Sequence, residues 1–393
     1  MSIPMSSPDL TAAETAAVCE VLSTPYLSIG PKLTAFEQAI ASFAGCAHGV
    51  GVNSGTSGLH LAVIAAGVAD GDQVITTPFS FIASSNAIVY ERGIPVYVDV
   101  DRRTGNIDPS LVAEAANDLA RGGQAARRWL PPALRDAPLT GKLRAILPVD
   151  AYGQPADMDA ITPVARERGL TLICDTCESL GSYYKGRPVG GLGDVGVFAF
   201  YPNKQITTGE GAVIVTNRDD WAALFRSLRN QGRDVFDAWL NHTRLGYNYR
   251  LDEMSAALGL AQMQRVEELI AKRAQVAAWY NERLAGLELI QTPTILPETT
   301  RMSWFVYVVR ILPPANRDAV LNRLASRGIG TRPYFTPIHL QPFYRERFGY
   351  HEGCYPVTEW LGQVSLALPF SSVMTEEQVE IACEELVSAL MAN

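Results

Sequence analysis

The chain has 393 residues, 47% hydrophobic and 19% charged, enough apolar material to bury a large core and to divide into two domains. Its net charge is -8 and its Lys and Arg residues are scattered rather than striped, so no surface tracking nucleic-acid phosphates is expected. The opening MSIPMSSPDL lacks a basic segment followed by an apolar one, and no later apolar run is long enough to cross a bilayer, which predicts a cytoplasmic protein without a membrane partner.

In chain order, Thr11 and Glu14 form a capping-box pattern ahead of an alanine-rich helix running toward Leu22. The turn-rich SIGPKL then leads into a second helix around Phe36, and this N-terminal arm is grouped with the large domain. From His48 onward, the short apolar runs GVGVN, QVITTP, IPVYVDV, RAILPVD, LTLICDT, VGVFAFY and AVIVTN alternate with helical patterns. That rhythm predicts an α/β domain with a largely parallel sheet. Between Asn117 and Lys142 the rhythm breaks, with Gly, Pro and the basic residues Arg121, Arg127, Arg128, Arg135 and Lys142. The segment is read as an inserted surface excursion, solvated in preference to partner-binding.

A long helical pattern runs from Asp252 to about Leu284, followed by a Pro-rich break, the strand-like WFVYVVRIL and a last helix capped by Thr375 and Gln378. The expected division is therefore a large α/β domain over 1–252, then a linking helix and a smaller α+β domain over 253–393.

Two motifs are set aside. Gly191, Gly193 and Gly196 match GxGxxG, but a dinucleotide fingerprint needs a strand before it and a helix after it, and here a strand follows. Cys174 and Cys177 form a CxxC without a second Cys or His pair at zinc spacing, so no metal is expected. All six cysteines are too dispersed for a disulfide framework and are expected as reduced thiols.

Chemistry concentrates between Cys174 and Asn217. Asp175 ends one apolar strand, Lys204 follows another, and the turn TTGEG comes directly after. In an open α/β sheet the ligand crevice lies at the carboxyl ends of the strands, so both side chains can reach one cavity. A lysine amine attacks a carbonyl only when unprotonated, a state that desolvation or a neighbouring cation favours. A carboxylate beside a pyridine nitrogen keeps that nitrogen protonated and the ring electron-poor. The pair suits pyridoxal 5'-phosphate (PLP), held by Lys204 as a Schiff base with Asp175 at the ring nitrogen. Upstream, VNSGTSGLHLAV passes from strand into helix, so the amides of Gly55, Thr56 and Ser57 would face an anion favoured by the helix dipole.

GTSGLHLA at 55–62, TPFSFIAS at 77–84, YGQPADM at 152–158, DTCESLGS at 175–182, FYPNKQITTGEG at 200–211 and LGYNYRLDE at 245–253 together resemble the DegT/StrS family of sugar aminotransferases. IGPKLTAFE and YFTPIHLQPFY fit the same family, so the resemblance spans nearly the whole chain. It implies the aspartate-aminotransferase fold (fold type I), a homodimer with shared active sites, and transfer of an amino group, usually from glutamate, to a nucleotide-linked keto sugar. The cofactor would alternate between PLP and pyridoxamine 5'-phosphate.

Carried over by position, Lys204 and Asp175 resemble the catalytic pair and Thr56 with its neighbours the phosphate turn. Asn248 resembles the asparagine that reaches the phosphate from the second subunit. Phe81 is the expected ring-stacking aromatic, with Phe79 as fallback. Tyr26, Lys32, Arg250, Tyr334 and His339 match positions that meet the sugar nucleotide. The serine often found before the lysine is Ala199 here, which leaves Ser182 or Thr56 to supply the phosphate hydroxyl. Glu178 stands where many relatives have Gln or His, near the ring hydroxyl, and Asp150 where many have His. The substrate expected is a nucleotide-activated 4-keto-6-deoxyhexose. The alternatives are a sugar dehydratase on the same fold, whose resembling members replace the lysine with histidine, and a non-catalytic regulatory member.

Overall fold

The computed structural model describes residues 2–138, 141–234 and 241–391. The apolar runs become β1 (His48–Val52), β2 (Gln73–Thr76), β3 (Ile94–Tyr97), β4 (Leu143–Ile146), β5 (Thr171–Asp175), β6 (Val195–Ala199) and β7 (Ala212–Thr216). They form one sheet in the order β1, β7, β6, β5, β4, β2, β3. β7 runs antiparallel to both neighbours and the remaining pairings are parallel.

Helices cover both faces, so the strands are apolar on both sides. On β7, Ala212 and Ile214 join the layer that holds Leu59 and Leu61, while Val213 and Val215 join the layer of Phe36 and Ile40. This is the two-residue alternation of a pleated strand.

The capping box forms as expected: Thr11 and Glu14 cap the helix Ala12–Leu22. The helical pattern from Asp252 divides in two. Arg265, at φ -113°, separates Glu253–Gln264 from Val266–Leu284. Glu253–Gln264 packs on Ala12–Leu22 and Pro31–Phe43. The first residues depart from expectation. Ile3 is buried in the small-domain core, beside Ile329, and its carbonyl accepts from the Gly330 amide at 2.8 Å. An apolar residue with free backbone groups finds both burial and hydrogen bonds at that edge.

The small domain is an antiparallel sheet in the order Ile290–Gln291, Tyr307–Ile311, Ser365–Leu368, Arg332–Pro333. Helices Val266–Leu284, Arg317–Ser326 and Glu376–Met391 close its core around Tyr280, Val309, Leu324 and Leu386.

The 117–142 segment is not a free excursion. Its first residues complete the helix Pro109–Arg121, and Leu130 is buried. Asp118 is also buried, and it draws the segment back by accepting from Arg128 Nε and Trp129 Nε1, both at 2.9 Å. A buried carboxylate requires such donors. Leu139 and Thr140 lie outside the described residues.

The GxGxxG glycines serve close packing. A Cβ on Gly196 would stand 2.4 Å from the Gly190 carbonyl oxygen, and one on Gly193 2.6 Å from that of Leu172.

Candidate active site

A cavity of about 530 Å³ opens at the carboxyl ends of β5 and β6. The start of the helix Gly55–Ala65, the segment Ser80–Ala83, and the chain following β5 and β6 form its large-domain walls, while Phe305, Tyr334 and Phe335 close it from the small domain.

Lys204 sits on the turn after β6, where its amide donates to the Tyr201 carbonyl at 2.9 Å. Thr208 N bonds Phe200 O at 3.0 Å and Thr207 Oγ1 bonds the same carbonyl at 3.0 Å, which folds TTGEG back under the lysine. Lys204 Nζ lies 3.7 Å over the Phe305 ring centroid and 3.6 Å from Glu178 Oε1. Burial raises the Glu178 carboxyl above its ordinary range, a rise that the lysine charge opposes. Its Oε2 accepts from the Tyr152 amide at 2.9 Å.

Asp175, at the last position of β5, is 5% exposed and lines the same cavity. Ser84 Oγ donates to its Oδ2 at 2.6 Å and the Cys177 amide to its Oδ1 at 3.2 Å. Those bonds fix the carboxylate plane. Each oxygen keeps acceptor capacity for a further donor.

The anion end is narrower than the sequence suggests. Ser54 caps the helix, and its Oγ accepts from the Ser57 amide at 3.1 Å. Ser57 Oγ in turn donates to Asn53 Oδ1 at 2.7 Å, and Ser57 does not line the cavity. Gly55 and Thr56 do line it, and as first-turn residues their amides have no intrahelical acceptor. Ser182 does not line the cavity. It is completely buried, donates to the Gly153 carbonyl at 2.7 Å and accepts from the Ser303 amide at 3.0 Å, so its hydroxyl is used in holding two segments together.

Phe81 lines the cavity and is 64% exposed, whereas Phe79 is wholly buried against Tyr152 and Phe335. Phe81 is thus the aromatic with a free face.

Of the substrate candidates, Tyr334 reaches the cavity. His339 does not: it is fully buried, its Nε2 lies 3.0 Å from Glu359 Oε1, and burial lowers its pKa despite that carboxylate. It braces the small domain against Tyr350 and Tyr355. Tyr26 is exposed, Lys32 pairs with Glu20 at 3.0 Å, and Arg250 bonds Asn230 Oδ1 at 3.1 Å, all outside this cavity's lining. Asn248 is exposed and also outside it.

Asp150 lies just behind the site. Its amide donates to the Asp175 carbonyl at 3.1 Å, and its carboxylate accepts from Ser179 Oγ at 2.6 Å and Ala156 N at 2.9 Å. Cys174 and Cys177 are free thiols, and burial pushes both well above the ordinary thiol range.

Sequence reasoning missed Tyr201, Asn203, Glu210 and Phe305 as cavity residues. The first three flank Lys204 closely enough for proximity to have been the signal. Phe305 carries none, since it sits in a run that reads as small-domain core.

A reactive amine, a braced carboxylate, an open aromatic face and a helix N-terminus around one cavity fit an aromatic aldehyde that carries a phosphate, and they define the PLP-dependent class of enzymes. The sequence pattern of the DegT/DnrJ/EryC1/StrS aminotransferase family matches residues 8–387. GDP-perosamine synthase of Caulobacter vibrioides is 36% identical over 381 residues, which cover 96% of this chain and 95% of that one. Among solved structures, Helicobacter pylori PseC, an aminotransferase involved in the biosynthesis of pseudoaminic acid, matches with a TM-score of 0.87 and 25% identity over 100% of both chains. The PLP form of the putative sugar aminotransferase Spr1654 from Streptococcus pneumoniae matches with 0.88 and 25% over 100% of this chain and 99% of that one.

The chain belongs to the DegT/DnrJ/EryC1/StrS aminotransferase family. It is a fold-type-I sugar aminotransferase dependent on PLP. No helix among the described residues is long and apolar enough to cross a membrane.

Proposed function

We propose that this enzyme moves an amino group from glutamate to a nucleotide-linked 4-keto-6-deoxyhexose, working as a homodimer whose cofactor alternates between PLP and pyridoxamine 5'-phosphate. The observation that carries the reading is the joint placement of Lys204, Glu178 and Asp175 on one cavity roofed by the small domain.

Bound PLP supplies an electron sink for the negative charge left when a proton leaves the carbon bearing nitrogen. The chain does the rest. With PLP bound, Lys204 Nζ would hold it covalently and would be the group that accepts and returns the proton. Asp175 would hold the proton on the ring nitrogen. Glu178, beside Lys204, would meet the ring hydroxyl. The Gly55 and Thr56 amides would take the phosphate, Phe81 would stack on the ring, and Tyr334 would border the sugar. Two donors hold Asp175 in place before any ligand arrives, and that preorganisation lowers the cost of each transfer.

The test pairs a glutamate-dependent turnover screen over nucleotide keto sugars with borohydride trapping and peptide mapping. The expected label is on Lys204, with turnover in Lys204→Ala lower by several orders of magnitude. Asp175→Asn should slow the half-reaction with glutamate far more than it weakens PLP binding. A label on another lysine, or unchanged half-reaction rates in Asp175→Asn, would remove the corresponding role. Turnover with every keto sugar except 4-keto-6-deoxyhexoses would overturn the proposed substrate.

A further inference from the structure

Arg273, midway along Val266–Leu284, is 2% exposed. Its Nη1 donates to the carbonyls of Trp304 at 3.2 Å and Phe305 at 3.1 Å. Its Nη2 donates to those of Asn203 at 3.3 Å and Lys204 at 2.5 Å. It forms no salt bridge among the described residues, and its Nε has no hydrogen-bond partner. Asp9, the acid that opposes the effect of burial on it, is already engaged by Arg265 and Lys272, each at 3.0 Å. Burial lowers the guanidinium to about 10, so it remains charged at neutral pH.

A buried cation without a counter-ion is a costly way to fill space, and an apolar side chain of similar volume would pack the same helix at no such cost. What an apolar chain lacks is the planar fork of donors, which here grips four carbonyls on two distant segments. Those segments frame the reactive amine. One is the turn that carries Lys204; the other carries Phe305, whose ring lies 3.7 Å under Lys204 Nζ. The second segment also contains Trp304 at φ 56°, a left-handed conformation that a bulky residue keeps only when its surroundings enforce it.

We propose that Arg273 is a positioning residue for Lys204: its guanidinium ties the lysine's turn to the Trp304–Phe305 backbone across the domain junction and thereby sets where the amine stands over the cavity. This rests on the reading of Lys204 as the lysine that binds the cofactor. A displacement of about 1 Å at a reacting group costs on the order of 100-fold in rate, so a tie of this kind acts on chemistry rather than only on folding.

The test compares the full-length protein with Arg273→Met and Arg273→Lys. In the cofactor-free proteins, hydrogen exchange is followed over residues 201–206 and 303–306, with β7 as the internal reference. PLP is then added, and the rate of borohydride-trapped labelling at Lys204 is measured. In Arg273→Met both segments should exchange at least tenfold faster while β7 is unchanged, and labelling should slow at least tenfold. Arg273→Lys, which retains the charge but not the fork, should fall between.

Uniform loss of protection across the sheet with unchanged labelling would reduce Arg273 to a general stabiliser and overturn the proposal, as would parent-like exchange and labelling in both variants. If Arg273→Met does not fold, Arg273→Lys decides by the same two readouts. A parent protein that takes no label at Lys204 would defeat the cofactor reading itself, and the exchange result would still judge the tie.

Discussion

Asp150 shows how burial and chemistry meet at a single residue. Desolvation is the main cause that pushes its carboxyl up to about 7, with the charges of Asp175 and Glu178 adding to the rise and the bonds from Ser179 and Ala156 opposing it. The ordinary Asp value is 3.8, so between roughly pH 4 and 7 the folded chain holds a proton that the unfolded chain has lost. The resulting stability is complete below the unfolded value and disappears progressively as pH rises through about 7. Its size is of order a few kcal/mol. Asp150→Asn should therefore lose less stability than the parent between pH 5 and pH 8, measured as urea midpoints at each pH. Parallel curves for the two proteins would show that Asp150 does not titrate in that window.

At the scale of elements, the helix Glu253–Gln264 serves both fold and site. Asp252 caps it by accepting from Ser255 N at 2.8 Å, and Glu253 reaches out to accept the Lys32 and Leu33 amides at 2.9 and 2.8 Å. A carboxylate at the start of Pro31–Phe43 compensates for Gly30, which has no side chain to cap that helix. Gly259 makes the close contact between the two helices. A Cβ there would stand 2.6 Å from Phe36 Cζ and 2.7 Å from Thr208 Cγ2. Replacing a helical glycine by alanine gains about 1 kcal/mol in propensity, but overpacking a rigid contact costs about 1–3 kcal/mol. The packing term should win, so Gly259→Ala is expected to unfold at lower urea. Turnover should fall too, because Thr208 lies in the TTGEG turn and Phe36 packs edge-on against Phe200, four residues before Lys204. Increased stability would mean that the two helices separate more easily than their contact implies.

At the scale of the whole molecule, a single chain leaves several large apolar residues exposed. Phe81 and Tyr201, 64% and 53% exposed, border the cavity, and Tyr26, Leu27, Tyr90 and Leu245 are exposed as well. In the proposed homodimer a second chain would cover such residues, and Asn248 of one chain would meet the cofactor phosphate in the other. Lys204 and Asn248 then complete each site from different chains. Mixing Lys204→Ala with Asn248→Ala subunits should restore part of the activity, since a mixed dimer has one doubly damaged site and one intact site. The measurement is turnover after verified subunit exchange, against an Asn248→Ala defect of about 1–3 kcal/mol. No recovery would mean that Asn248 acts within its own chain, and an active monomer by light scattering would reject the dimer.

The sequence by itself determined the seven strands, the capping box at Thr11 and Glu14, and the pairing of Asp175 with Lys204 at neighbouring strand ends. The first two rest on local information, short apolar runs between helical patterns and a side chain bonding its own next turn, and the third on a topology rule that puts strand termini together. Only the tertiary structure decided that Phe305 lies under the lysine, that Arg273 holds both, and that Ser182 and His339 are used up inside the protein. It also decided that Ile3 belongs to the small domain. A hydroxyl, imidazole or guanidinium has the same chemistry wherever it sits in a chain. Its duty is set by which distant carbonyl or carboxylate it meets after folding, and burial then leaves it no other partner.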